Sequence, residues 1–203
     1  MAEPPRWPPE QLERYRKLLH LRVRQMQLDP RFRRRFSSSD LVQEALVRAV
    51  KNLNQCQAPT EAALIKWLEK ILTNVVIDEI RKHTAEPRNV WMEQHFEEIM
   101  AQSSARLEKF LEDNHSSPVE QAQRHELLLH LADAMDRLPE DQRDVIIQHQ
   151  LLGMKVADVA AEMTQARQRP VTPKAVAGLF RRGIEKLRTC LNNHPGGFHD
   201  VRD

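Results

Sequence analysis

Five glycines in 203 residues limit what this chain can fold into more than any other feature. Phosphate-cradling loops, Rossmann turns and hairpin-rich sheets each need several glycines, at backbone angles that other residues avoid. Apolar residues recur instead at helical spacing, and no segment alternates as a half-buried strand does. The chain therefore reads as all-α. With 40% hydrophobic, 30% charged and only 5% aromatic residues, it suits helices with one buried stripe and heavily charged outer faces. A globule of this length buries roughly 70% of its unfolded surface and needs no staples. Cys56 and Cys190 are too few and too unpatterned for disulfides or a thiolate zinc site. No apolar run approaches the ~18 residues of a membrane span, and MAEPPRWPPE has no apolar signal core. The expected location is cytoplasmic, with reduced thiols and no membrane insertion.

Punctuation divides the chain. Residues 1–9 hold four prolines and read as a flexible arm. Leu12, Tyr15, Leu19 and Val23 form the stripe of a helix from Pro9 to about Gln27. Ser37 to Ser39 offer a cap for a helix from Asp40 to about Leu53, with Leu41, Ala45, Leu46, Ala49 and Val50 on its apolar side. A loop follows to Pro59, and Thr60 can cap a helix from Glu61 to about Lys82. Pro87 closes this first domain, residues 10–87. Residues 88–117 read as an acidic linker. Within it, Phe96, Ile99, Met100, Leu107, Phe110 and Leu111 have helical spacing, which suits a helix that docks on a partner. Ser117-Pro118 starts a second domain, residues 118–191. Helices are expected there to about Arg137, from Pro139 to a stop at Gly153, over about Lys155–Thr164, and from Thr172-Pro173 to about Leu191. Residues 192–203 read as a flexible tail.

Charge is segregated along this plan. Residues 1–35 carry ten bases against four acids, residues 172–191 five against one, and residues 92–120 seven acids against two bases. Two basic ends flanking an acidic middle favour a polyanion partner over scattered solvated faces.

Two constellations carry chemistry. In the second domain, Val156, Val159, Ala160 and Met163 face a stripe of Val176, Phe180, Ile184, Leu187 and Leu191. The outer side of the last helix presents Lys174, Gly178, Arg181, Arg182, Glu185 and Arg188, with small Ala175, Ala177 and Gly178 near its start. Small side chains let a helix approach a groove wall closely, which is the layout of a helix-turn-helix with its second helix as reader. An ordinary helical hairpin with a basic outer face is the other reading. In the helix 61–82, Ile65, Leu68, Leu72, Val76 and Ile80 form the core stripe. Lys66, Lys70, Thr73, Asn74 and Arg81 gather on another side, with Trp67 and Ile71 nearer the core. Bases, an amide and an aromatic can hold a single strand by phosphate contact, hydrogen bonds and stacking, while Trp67 taken alone reads first as core. Asp78 on this face is expected to pair with a neighbouring base. The histidines of HELLLH, His125 and His130, are five apart and do not share a helical face as a zinc motif requires. No arrangement points to catalysis, and no cofactor is expected.

DLVQEALVRAV followed by KWLEKILTNVVIDEIRKH resembles the second conserved region of bacterial sigma factors. LPEDQRDVIIQHQLLGMKVADVAAEM with TPKAVAGLFRRGIEKLRTCL resembles the fourth. Only these two regions are present, in this order, which is the layout of the extracytoplasmic-function group. The resemblance implies two small helical domains joined by a linker, and a non-enzymatic role in transcription initiation. It places Asp40, Leu41, Gln43 and Glu44 against the clamp helices of RNA polymerase. It assigns the loop Leu53–Thr60 and Lys66, Trp67, Lys70, Asn74 and Arg81 to opening and holding the minus-ten promoter element. It assigns Thr172, Lys174, Ala175, Gly178, Arg181 and Arg182 to reading the minus-thirty-five element. The implied partners are core RNA polymerase, promoter DNA as upstream duplex and as melted single strand, and, as a candidate, an anti-sigma factor. Three departures stand out: Lys155 where a serine-type cap is common, Leu64 where an aromatic is common, and a turn over 164–171 about six residues longer than the family pattern, where Arg167 and Arg169 are candidates for phosphate contact. A polymerase-independent helix-turn-helix regulator, with its N-terminal half as a ligand or dimerisation domain, is the alternative. A helical adaptor for acidic proteins is a third.

Overall fold

A computed structural model describes residues 7–33, 35–83, 90–113 and 121–192. Among the described residues every regular element is helical, as the sequence leads one to expect. The chain divides into two compact units, residues 1–100 and 101–203.

The first unit opens on a 3-10 segment, Pro9–Tyr15, which continues as α1 (Arg16–Gln25). Proline at its first position explains the tight start, since the missing N–H costs nothing there. Leu12, Tyr15, Leu19 and Val23 are all buried, as the spacing predicts. A four-residue α2 (Pro30–Arg33) follows, then α3 (Ser38–Lys51). Helix α3 begins on a reciprocal capping box. Ser37 Oγ accepts from the Asp40 N–H at 3.1 Å, and the Asp40 carboxylate accepts from the Ser37 N–H and Oγ. Helix α4 (Glu61–His83) starts at Thr60, whose hydroxyl accepts from the Ala63 N–H at 3.3 Å. Helix α4 packs against both α1 and α3, so its buried arc is wider than one stripe. Besides the predicted Ile65, Leu68, Leu72, Val76 and Ile80, it buries Leu64, Val75 and Ile77.

Two expectations reverse here. Thr73, assigned to the polar face of α4, is buried. Val50, assigned to the apolar side of α3, is 46% exposed, and Val42 is fully buried in its stead.

The acidic segment does form a helix, α5 (Val90–Asp113). The boundary between the two units falls inside it, after Met100. Phe96, Met100, Leu107, Phe110 and Leu111 are buried within the chain itself, so this stripe is already covered and does not present a free docking face.

In the second unit α6 (Gln121–Asp136) leads to α7 (Glu140–Ile146), a π turn over Ile147–Leu151, α8 (Val156–Arg167) and α9 (Pro173–Asn192). The Ser117-Pro118 start lies outside the described residues, as do residues 1–6 and 193–203 of the arm and tail. Val145, Val159, Ala160, Met163 and Val176 make a core on which Val156, Leu179 and Phe180 pack. Helices α7 and α9 meet at Gly183, where a Cβ would stand 2.7 Å from Ile146 Cδ1 and 3.3 Å from Gln142 Cβ. A side chain at that point would require the end of Ile146 to move.

Gly153 ends the π turn as predicted, at φ 72°, and the Met154 N–H closes back on the Gln148 carbonyl at 3.0 Å. The Arg106 guanidinium from α5 occupies the space a Cβ would take. Gly153→Ala is therefore expected to destabilise the second unit by about 1–2 kcal/mol from the left-handed backbone alone. Displacement of Arg106 adds to this. Urea unfolding followed by circular dichroism checks it; an unshifted midpoint contradicts the account.

Candidate nucleic-acid interface

The α4 face is built from residues four apart. Lys66, Lys70 and Asn74 are exposed, Trp67 and Arg81 are half-buried. Lys66, Lys70 and Asn74 thus form one ridge on the side away from the Leu68–Leu72–Val76 core. Lys70 is not bare: Glu97 of α5 pairs with its ammonium. That pairing joins segments 27 residues apart, and the acidic run around Glu97 gave no sign of where it would lie.

Asp78 has the basic partner expected of it. Arg48 from α3 donates to its Oδ2 at 2.6 Å and to Glu44 Oε1 at 2.8 Å, while Arg81 sits 3.9 Å from its Oδ1. The Asp78 carboxylate, and after it Glu44, hold the Arg48 guanidinium charged above its ordinary range. The network removes most of the repulsion that a lone carboxylate would offer a phosphate on this face. The tie from Arg48 to Asp78 was missed because that partner comes from another helix, while Glu44 lies one turn away on α3 itself.

On α3, Gln43 is exposed and its carbonyl accepts from Arg16 at 2.9 Å. Glu44 remains half-exposed in its pair with Arg48. Asp40 is exposed, and the Ser37 hydroxyl followed by the Ser37 N–H holds its carboxyl below the usual aspartate value; it is first a cap. Leu41 is a correction: at 1% exposed it belongs to the core and has no surface to offer a partner. The loop before α4 makes a 3-10 turn at Leu53–Gln55, buries Leu53 and Ala58, and leaves Asn54, Gln55 and Gln57 exposed.

In the second unit Thr172 caps α9, its hydroxyl accepting from the Ala175 N–H at 3.2 Å. Lys174, Ala175, Arg181 and Arg182 are exposed along the helix and Gly178 is half-exposed. The Arg182 guanidinium lies beside Gly178, close enough that a Cβ there would meet it at 3.3 Å. Val176 and Leu187 on the opposite side are fully buried, which fixes the direction of the basic face.

The lengthened turn is mostly not a turn. Helix α8 runs on to Arg167, one turn past the expected end at Thr164, and stops where Gln168 takes a left-handed conformation at φ 50°. Thr164 Oγ1 accepts from the Val171 N–H at 2.9 Å and donates to the Val171 carbonyl at 3.4 Å, clasping the remaining loop. Arg167 pairs with Asp141 of α7, so it is a structural tie and not the phosphate contact suggested by its place in the sequence. Arg169 is exposed. Among the described residues no helix is long and apolar enough to cross a membrane.

Comparison with known proteins agrees with this layout. Residues 12–86 match the family Sigma-70 region 2, and residues 128–187 match Sigma-70, region 4. A protein of Xanthomonas campestris pv. campestris named "Probable RNA polymerase sigma factor RfaY" is 27% identical over 125 residues. The match covers 62% of this chain and 28% of that protein's length. Two regions in family order, each matched on its own helical segment of the chain, place it: it belongs to the sigma-70 family, with the two-region layout of the extracytoplasmic-function type.

Proposed function

We propose that this chain is a dissociable promoter-recognition subunit of RNA polymerase. The observation that carries the reading is the pairing, on one chain, of the α4 ridge in region 2 with the basic outer face of α9 in region 4. A free-standing repressor or an adaptor has no need of both. In this reading Asp40, Gln43 and Glu44 meet the polymerase clamp. Thr172, Lys174, Ala175, Gly178, Arg181 and Arg182 lie at the minus-thirty-five duplex, where basic side chains supply phosphate contacts and small residues permit close approach. Lys66, Trp67, Lys70, Asn74 and Arg81, with the loop Leu53–Thr60, hold one strand of the minus-ten element. Opening follows because a captured base offsets the few kcal/mol lost on unstacking it. No covalent step is required of the chain.

Reconstitution with core polymerase on a genomic DNA library, followed by sequencing of transcript starts, tests this. The expected outcome is a defined set of start sites that appears only with both components. Tight operator binding without polymerase would favour the free regulator. No association with core and no redirection of starts would reject the reading.

A further inference from the structure

The loop proposed to hold the unstacked base is itself held from an unexpected place. Trp7, in the segment that the prolines mark as a flexible arm, donates its indole Nε1–H to the Ala58 carbonyl at 3.1 Å. Ala58 is buried, and a buried carbonyl without a partner is costly, so this bond favours one loop conformation over others. Eight residues on, the Tyr15 hydroxyl donates to Glu61 Oε1 at 2.7 Å, at the first residue of α4. Trp7, two residues before the 3-10 segment, and Tyr15, at its end, thus clasp the loop and the helix that follows it. Between the buried anchors Leu53 and Ala58, the exposed side chains are Asn54, Gln55 and Gln57, all polar amides able to meet a base edge. Leu12 and Tyr15, not Trp7, anchor the segment in the core. The indole is accordingly free to act on the loop without carrying the fold.

We propose that Trp7 is a positioning residue for strand opening, one that presets the loop Leu53–Thr60 before DNA arrives. The proposal rests on the reading of this loop as a base-holding element. Preorganisation removes an ordering cost from the capture step and leaves the rest of the interface untouched. Trp7→Phe keeps a ring and loses the donor; Trp7→His keeps a ring N–H.

The test uses the full chain with core polymerase on a promoter found in the start-site experiment. Permanganate-reactive thymines report opening, and a short single-stranded minus-ten oligonucleotide reports capture. Trp7→Phe is expected to lower both about five- to tenfold, as loss of one partly buried hydrogen bond would. Core affinity and binding of the upstream duplex stay at wild-type values, the thermal midpoint falls by no more than the few degrees that one lost hydrogen bond costs, and Trp7→His restores part of the loss. Wild-type opening by Trp7→Phe overturns the proposal. So does an equal fall in core affinity, which would make Trp7 an ordinary structural residue. If the wild-type chain with core opens no DNA, the base-holding reading fails first and the proposal falls with it.

Discussion

Glu69→Leu is expected to destabilise the first unit by about 3–5 kcal/mol, the effect of leaving a buried charge without its partner. Arg22 on α1 is 2% exposed, and its Nε donates to Glu69 Oε1 of α4 at 2.6 Å, with a second bond from Nη1 to Gln25 at 3.0 Å. Glu69 itself is 15% exposed, so water reaches the carboxylate and hardly reaches the guanidinium. Removing the acid strands the base. A loss of this size is a large part of the ~5–15 kcal/mol that holds a typical domain. Adding Arg22→Met should return most of it, because the buried site then holds an apolar chain of similar reach. Thermal unfolding of the two variants checks the asymmetry; a Glu69→Leu protein as stable as wild type contradicts it.

The second large effect concerns binding. Arg181→Ala with Arg182→Ala removes two exposed charges from the outer face of α9 and should leave the Val176–Leu187 core intact. If both guanidinium groups meet phosphate, the slope of log affinity against log salt falls by about 0.9 for each phosphate that is no longer neutralised. Binding of the upstream duplex weakens by about 1–3 kcal/mol for each arginine that reads a base edge instead. Fluorescence anisotropy with core polymerase at two salt concentrations separates these cases. Unchanged affinity at both concentrations would remove α9 from the duplex interface.

Most of the architecture was legible in the sequence because helices report their buried side every third or fourth residue. The stripes of α1, α4 and α9, the caps at Ser37, Thr60 and Thr172, and the stop at Gly153 are all local signals. What was not legible is what two segments do to one another. Arg22 counted among ten bases at the N-terminus and so toward a phosphate partner, yet it spends its charge inside the protein. Arg167 in a polar turn likewise turns back to Asp141. Thr73 looks polar on a helical wheel, but a helix with two neighbours has little polar arc left. Glu97 and Lys70, or Trp7 and Ala58, meet only because the chain folds back, and no spacing rule links them. The exposure of residues on ridges was easier to foresee than the partners of residues in ion networks, since exposure follows from the stripe and pairing does not.

The close approach at Gly183 bears on how the basic helix is aimed. Where two helices touch through long side chains, those chains can change rotamer and let one helix roll against the other. At Gly183 the backbone of α9 lies against Gln142 Cβ and the end of the Ile146 side chain, so only that one short chain has room to give. The bearing of Lys174, Arg181 and Arg182 therefore has little slack, and exchanging the outward side chains is an easier way to retarget that helix than tilting its mount.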